Sequence, residues 1–312
     1  MHKMNEKMKV LITGATGLIG KELVRTLLTN DIEINYLTTS RDKIVDTDTY
    51  NGFYWNPKEG VVDSCSLEGV DAIIHLAGAT VSKKWTPAYK EEILQSRMLS
   101  AQLLYNLLKN HPGHTVKNFI SASGISIYPS DFDKLYDEKF EGVDNTFLGE
   151  VVEEWESGVN HFTSLGINVA KIRIGLVLAN NGGALDAISK PVKMGVGASI
   201  GSGKQWVSWI HISDLTSIFL KILTEKREGI YNAVAPNPVT NKQLTKAIAR
   251  VLRKPLWLPN IPEFVMKILL GERSTLVLSS QKVSCKKLLK SSYQFQFNNI
   301  EYALNDLLVE QK

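Results

Sequence analysis

At 312 residues and 44% hydrophobic content the chain can bury a substantial core, and its length implies one large or two fused domains. Its 36 basic and 32 acidic residues leave a net charge of only +4, spread along the chain, which excludes the dense cationic face that nucleic-acid binding requires. The longest apolar stretches, 70–78 and 167–178, are interrupted and fall short of the roughly 20 residues that cross a bilayer, so no membrane segment is expected.

The opening, residues 1–7, is polar and lacks the apolar core of a secretory signal. Cys65 and Cys285 have the spacing of neither a disulfide framework nor a metal site, so a reducing, cytoplasmic setting is expected. Lys9–Thr13 (KVLIT) is an apolar, β-rich run stopped by glycine, and 18–28 then places Leu23, Leu27 and Leu28 at helical spacing. Buried-strand runs recur at Glu33–Thr38, 72–76, 118–121 and 169–178, with helical stretches at 91–109 and 147–163 between them. Such alternation predicts an α/β architecture, a parallel sheet covered by helices on both faces. Beyond Leu178 the pattern changes to a glycine-rich segment, 180–203, then a Trp-containing run and a helix capped near Ser213. Residues 230–235 form one further strand, and Thr240 with Gln243 makes a capping box opening a helix over 242–252. Pro255, Pro259 and Pro262 punctuate a linker before a helix at Glu263–Leu270, and the basic run 282–290 reads as an amphipathic helix with a wet lysine face.

The first strand leads directly into Gly14-Ala-Thr16-Gly17-Leu18-Ile19-Gly20. Gly14 permits a sharp turn, Gly17 lets backbone amides approach a pyrophosphate, and Gly20 lets the helix pack closely on the strand. Thr16, Leu18 and Ile19 complete the turn, and the helix N-terminus adds a favourable dipole for phosphates. The second strand ends at Thr38-Thr39-Ser40-Arg41, where an NAD-selective site would present an acid to the ribose 2′-hydroxyl. Ser40 can instead hydrogen-bond a 2′-phosphate and Arg41 can pair with it, which favours NADP; the nearby Asp42 keeps NAD as the alternative.

The glycine spacing, His75-Leu-Ala-Gly78 after one strand and Ser121-Ala-Ser123 after the next resemble the extended short-chain dehydrogenases/reductases that include nucleotide-sugar epimerases. Trp155-Glu156, Arg173-Ile-Gly-Leu-Val-Leu178, the run from Gly201 to His211, Asn232-Ala-Val-Ala-Pro236 and Val239-Thr-Asn241 narrow this to an atypical branch. That branch is the NAD-dependent epimerase/dehydratase-like "epimerase family", with its own C-terminal domain. The resemblance implies a Rossmann-type doubly wound parallel sheet with a smaller, mainly helical C-terminal substrate domain. It divides the chain into 8–179 with the strand 229–235 returning, against 180–228 and 236–312. It also implies that Leu76 and Ala77 line the adenosine ribose and that Glu92 and Arg97 approach the cofactor from the following helix. Arg97 sits among Ile93, Leu94, Met98 and Ala101, and an arginine there wants an anion. His75, ending a buried strand, is read as a satisfied structural group before a catalytic one.

In the superfamily a tyrosine four residues before a lysine works with a serine beside the nicotinamide. Aligned through Tyr128, the serine position holds Gly124 and the Tyr-x-x-x-Lys position holds Phe147-Leu-Gly-Glu-Val151. The literal strings Tyr54–Lys58 and Tyr105–Lys109 precede the Ser121 strand and are decoys. Substitutes are Ser123 and Ser126 as hydroxyls, Tyr128 as acid/base, and Glu150 or Glu154, with Ser123 and Tyr128 preferred. For substrate, Trp206, Ser208 and His211 offer a flat apolar wall and polar fixtures beside Lys204 and Gln205; the same strand could simply pack two domains. Lys193 with Lys204 could neutralise an anionic substrate. Two functions follow, both with a small-molecule partner in a monomer or homodimer and no metal. One is an NADP-dependent oxidoreductase or epimerase acting on a small polar or sugar-nucleotide-like substrate; the other is a catalytically depleted NADP-binding regulatory protein.

Overall fold

The computed structural model describes residues 7–180 and 182–309; the polar opening lies outside them apart from Lys7. Strand β1 (Lys9–Thr13) runs into helix α1 (Leu18–Thr29), and β2 (Glu33–Thr38) returns parallel to β1 with Val10 beside Ile34. Next come β3 (Tyr50–Asn56), parallel to β2, and a short antiparallel edge, β4 (Val61–Val62). The chain then crosses to the far side of β1 with β5 (Ala72–His75), α2 (Pro87–Asn110) and β6 (Asn118–Gly124). There follow β7 (Leu135–Tyr136), α3 (Phe147–Asn160), β8 (Asn168–Ile174), β9 (Leu176–Leu178) and α4 (Gly183–Lys193). After these stand β10 (Trp206–Val207), β11 (Trp209–His211), α5 (Ile212–Thr224), β12 (Gly229–Ala233), β13 (Val239–Thr240) and α6 (Asn241–Val251). The chain closes with α7 (Glu263–Leu270), α8 (Thr275–Leu278), β14 (Lys282–Val283), α9 (Lys286–Lys290) and α10 (Ile300–Leu308).

The main sheet has the order β12-β8-β6-β5-β1-β2-β3-β4, parallel throughout except for β4. Because β2 and β5 flank β1 on opposite sides, the order reverses there, and the crevice outside the carboxyl ends of β1 and β5 is where open α/β sheets bind ligands. The strands at the centre are apolar on both faces, as helices on both sides demand. Strand β3, unmarked in the sequence reading, is only partly buried and carries asparagine and glycine, so it lacks that signature.

Several predicted elements are corrected. The strand expected over 169–178 breaks at Gly175, where a Cβ would press on the Ser208 carbonyl and lie 2.8 Å from Val234 Cγ1. Strand β9 therefore leaves the sheet and pairs with β11. The helix expected over 147–163 ends at Asn160 and tightens into a 3-10 turn, His161–Leu165. The helix expected at 91–109 begins earlier, at Pro87, because Thr86 caps it and proline suits the first turn. The amphipathic helix expected over 282–290 is instead β14 followed by the five residues of α9, and Lys287 is not wet: its ammonium donates to the Ile230 carbonyl and lies 4.1 Å over the Tyr231 ring. Within 180–228, α5 packs into the main core through Leu215, Ile218, Phe219 and Ile222, while Leu185 and Val192 of α4 join a second core with Leu244, Ile248 and Leu304. Among the described residues no helix is long and apolar enough to cross a membrane.

Candidate dinucleotide crevice and the residues around it

The turn after β1 is shaped by contacts that exclude side chains. Gly14 has φ 74, and a Cβ there would lie 3.0 Å from the Leu76 carbonyl carbon and 3.1 Å from the Ala77 nitrogen. Those two residues are pinned by Thr13, whose hydroxyl accepts from both of their amides at 3.1 Å. Gly20 is buried against the same turn, its missing Cβ 2.7 Å from Ala15 Cα. Gly17, exposed at the N-cap of α1, makes no side-chain cap bond, and the first turn carries no acidic residue. The opening amides of the helix, at Leu18 and Ile19, thus face the crevice mouth without an internal partner, behind the half-buried Thr16. This donor set fits a diphosphate.

At the end of β2, Ser40 is half-buried and Arg41 is exposed, with its guanidinium stacked 4.0 Å over the ring of Tyr54. Tyr54 lies on β3, so the first of the two decoy strings holds the arginine's platform. Among the described residues no carboxylate pairs with Arg41. A guanidinium held over a ring and without an acidic partner at the end of β2 is available to an anion.

His75 is fully buried. Its Nδ1 lies 2.7 Å from the Thr13 hydroxyl and its Nε2 3.2 Å from that of Ser100. Ser100 gives its own proton to the Arg97 carbonyl, so the imidazole donates from Nε2 and accepts from Thr13 at Nδ1. Burial, with Arg97 nearby, pushes the His75 pKa down to about 3. The folded value lies below the unfolded one, so stability is full above an unfolded pKa of about 6.5 and falls as pH drops toward the folded value. Between pH 7 and pH 5 thermal unfolding is expected to show a loss of about 2 kcal/mol that His75→Gln removes; an identical pH slope in both proteins would refute this.

Arg97 packs its guanidinium against Gly78, where a Cβ would sit 3.0 Å away, and lies 5.0 Å over the Trp155 ring. Burial lowers its pKa to about 10, and it donates to the Ile93 and Ala79 carbonyls. It therefore lies under the crevice beside Leu76–Ala79, whereas Glu92 lies exposed five residues earlier on α2, away from Arg97.

The two preferred acid/base candidates are turned inward. Ser123 donates to Glu156 at 2.6 Å, and Glu156 accepts Nε and Nη2 of Arg173 at 2.8 and 2.9 Å. Tyr128 is fully buried, donates to Asn232 at 2.8 Å and accepts Nη1 of Arg173 at 3.0 Å. Burial pushes the Tyr128 phenol above its ordinary value. Burial alone would raise the Glu156 carboxyl, but bonds from Arg173 and Ser123 hold it below the usual carboxylate range. Both hydroxyls are thus committed to a structural network that the Trp155-Glu156 and Arg173 motifs encode. Ser126 is half-exposed, with Oγ 3.2 Å from where a Cβ of Gly124 would stand. Glu150 and Glu154 lie on the solvent face of α3, while Tyr105 bonds Ser164.

The substrate candidates are also spoken for. Ser208 is buried and bridges the Gln281 carbonyl and the Val283 amide. His211 is 1% exposed, caps α5 by accepting from Ser213, and stacks on Phe297 at 3.8 Å. Asp306 Oδ2 lies 3.2 Å from its Nε2 but out of line for a hydrogen bond, and burial, opposed by the nearby carboxylates, shifts the imidazole below its ordinary range. Trp206 is half-buried, donates to the Phe132 carbonyl and carries Lys282 4.2 Å over its ring. Lys193 lines a cavity of about 610 Å³ with Asn180, Asp186, Ser189 and Asp306; Lys204 does not, so the expected lysine pair is not assembled. That cavity lies between α4 and α10. Among the described residues no three His, Cys, Asp or Glu side chains converge as metal ligands would.

Residues 10–145 match the NAD dependent epimerase/dehydratase family and 261–307 match a domain of unknown function, DUF1731. An epimerase family protein of Staphylococcus aureus (strain N315) is 36% identical over 307 residues, 96% of this chain and 99% of the relative. The chain belongs to this epimerase family. A second member, from Staphylococcus haemolyticus, is 37% identical over 301 residues, covering 96% of this chain and 98% of its own length. Among solved structures, the human epimerase family protein SDR39U1 (isoform 2) with NADPH superposes on this family member with TM-score 0.83 at 28% identity, over 96% of this chain and 99% of that one. A nucleoside-diphosphate sugar epimerase from Corynebacterium glutamicum gives 0.75 at 29% identity, over 96% of this chain and 57% of that chain. The extended short-chain dehydrogenase/reductase resemblance and its Rossmann-type sheet are thereby shown.

Proposed function

We propose that this epimerase-family chain binds NADP and is an oxidoreductase or epimerase acting on a small polar or sugar-nucleotide-like substrate at the carboxyl end of its sheet. The observation that carries the reading is Arg41, exposed, stacked on Tyr54 and without an acidic partner, where an NAD-selective site would place an acid. The human relative solved with NADPH supports the same choice. When bound, the nicotinamide would supply hydride transfer; the chain's own work would be to grip the diphosphate with the Gly14–Gly20 turn and α1, and the 2′-phosphate with Ser40 and Arg41. Thr13 holds the Leu76 and Ala77 backbones in place beside it, with Arg97 beneath. Since Ser123 and Tyr128 are bonded inward, Ser126 is the hydroxyl best placed to polarise a substrate oxygen near the Gly124 position. A small-molecule partner, a cytoplasmic setting suited to two free thiols, and a monomeric or homodimeric state belong to this reading.

A single titration tests it. Arg41→Ala is expected to weaken NADPH binding by about tenfold while NADH binding changes by less than about twofold, since a charge-assisted bond to phosphate contributes roughly 1.5–3 kcal/mol. Equal loss for both nucleotides would remove the NADP assignment. The inward bonding of Ser123 and Tyr128 favours one second reading, a catalytically depleted NADP-binding regulator. Tight NADPH binding with no turnover across a broad carbonyl and sugar-nucleotide panel would select it.

A further inference from the structure

Helices α2 and α3 follow β5 and β6, so their N-termini lie at the carboxyl edge of the sheet, on the same side as the dinucleotide crevice. There Trp85 meets Phe147 edge to face, with ring centroids 5.2 Å apart, and the Lys90 ammonium lies 4.6 Å over the Phe147 ring. Phe147 occupies the position where the superfamily resemblance expects the tyrosine. From the C-terminal part of the chain, the 3-10 turn Gly271–Ser274 between α7 and α8 packs against this wall. Its Glu272 pairs with Lys90 at 2.8 Å, and Arg273 donates Nη1 to the Ser82 carbonyl at 2.7 Å. The Nε–H of Arg273 is buried and has no hydrogen-bond partner, and among the described residues no carboxylate pairs with its guanidinium.

We propose that Arg273 and Lys90 form a recognition subsite for an anionic group, carboxylate or phosphate, carried by a substrate whose remaining body packs on Trp85 and Phe147. This deepens the functional reading above and rests on it. A buried guanidinium N–H left unpaired is costly, and its fork matches the two oxygens of a carboxylate or phosphoryl group. Lys90 supplies a second, point-like cation from α2, so an anion seated between them would bridge α2 and the Gly271–Ser274 turn. Glu272, largely exposed at 63%, is the resident carboxylate on Lys90 and gives way to the incoming group. The aromatic pair excludes water on one side, which strengthens the charge pairing there.

The test titrates protein saturated with NADP+ separately with inorganic phosphate and with acetate, following the Arg273 Nε–H signal by ¹⁵N NMR. A saturable shift is expected with at least one probe. Response to phosphate alone identifies a phosphoryl-bearing substrate, and response to acetate alone identifies a carboxylate. Arg273→Gln, which lacks that signal and is therefore followed with the other variants through the backbone-amide shifts of Ser82, Lys90 and Phe147, is expected to weaken the responding probe by about tenfold with NADP+ affinity within about twofold of wild type. Lys90→Gln, at a half-exposed position, weakens it as well, and Glu272→Gln tightens it by about threefold because a competing carboxylate is gone. No shift with either probe while NADP+ still binds overturns the subsite, as does affinity unchanged in both cation variants. Failure of NADP+ itself to bind overturns the cofactor reading instead.

Discussion

Gly20→Ala is expected to cut NADPH affinity by about 100-fold, equivalent to about 2.7 kcal/mol, although alanine is the better helix former. The new methyl would stand 2.7 Å from Ala15 Cα and 2.8 Å from its carbonyl carbon. Those are backbone atoms of the turn itself, so the conflict cannot be relieved by rotating a side chain. Helix propensity returns roughly 1 kcal/mol, while overpacking of this kind costs about 1–3 kcal/mol and moves the very amides that face the diphosphate. Fold stability should therefore fall by no more than about 2 kcal/mol while binding collapses. Gly113→Ala, where the added methyl meets nothing within 4 Å, is the control. Titration by cofactor fluorescence alongside thermal unfolding separates the two effects, and unchanged affinity in Gly20→Ala would refute the role given to the turn.

Glu156→Ala is expected to destabilise the chain by about 3–5 kcal/mol, a large part of the roughly 5–15 kcal/mol that holds a domain folded. Glu156 and Arg173 have side-chain exposures of only 8% and 6%, and the carboxylate also accepts from Ser123 and lies 3.6 Å from Lys171. Removing it leaves a buried guanidinium with only Tyr128 as side-chain partner. The magnitude reports the exposed charge, not a net gain from the pair, because bringing both ions out of water already consumed most of their attraction. The pH dependence carries the sign. The Glu156 carboxyl is held below its usual range, so its contribution is full above the unfolded value of about 4.3 and is lost as pH falls through the folded one. Glu156→Gln should flatten the urea-midpoint profile below about pH 4.3 and leave the His75 window, from about pH 6.5 down, intact. A Glu156→Ala midpoint within error of wild type would show that the network contributes nothing to the fold.

These two residues divide sharply in how they could be found. Gly20 belongs to a motif seven residues long whose meaning is local: a positive φ at Gly14, a close approach at Gly20, and a helix start at Gly17. The crevice is legible in the sequence because such geometry is short-range. The stretch Trp155-Glu156 could be recognised as a family motif, but not what it binds, since its partners lie 17 and 33 residues away and the next member of the network 104 residues beyond Tyr128.

The amino-acid sequence by itself determined the parallel sheet, the glycine turn, the missing acid after β2 and the loss of the Tyr/Lys pair, because each is a pattern of polarity or backbone freedom within a few residues. Tertiary structure alone decided that Ser123, Tyr128, Ser208 and His211 are bonded inward, that Tyr54 carries Arg41, and that Arg273 crosses to the wall of Lys90. A hydroxyl or an imidazole has the same composition whether it faces solvent or a buried partner. Which it faces is set by the packing of elements far apart in the chain.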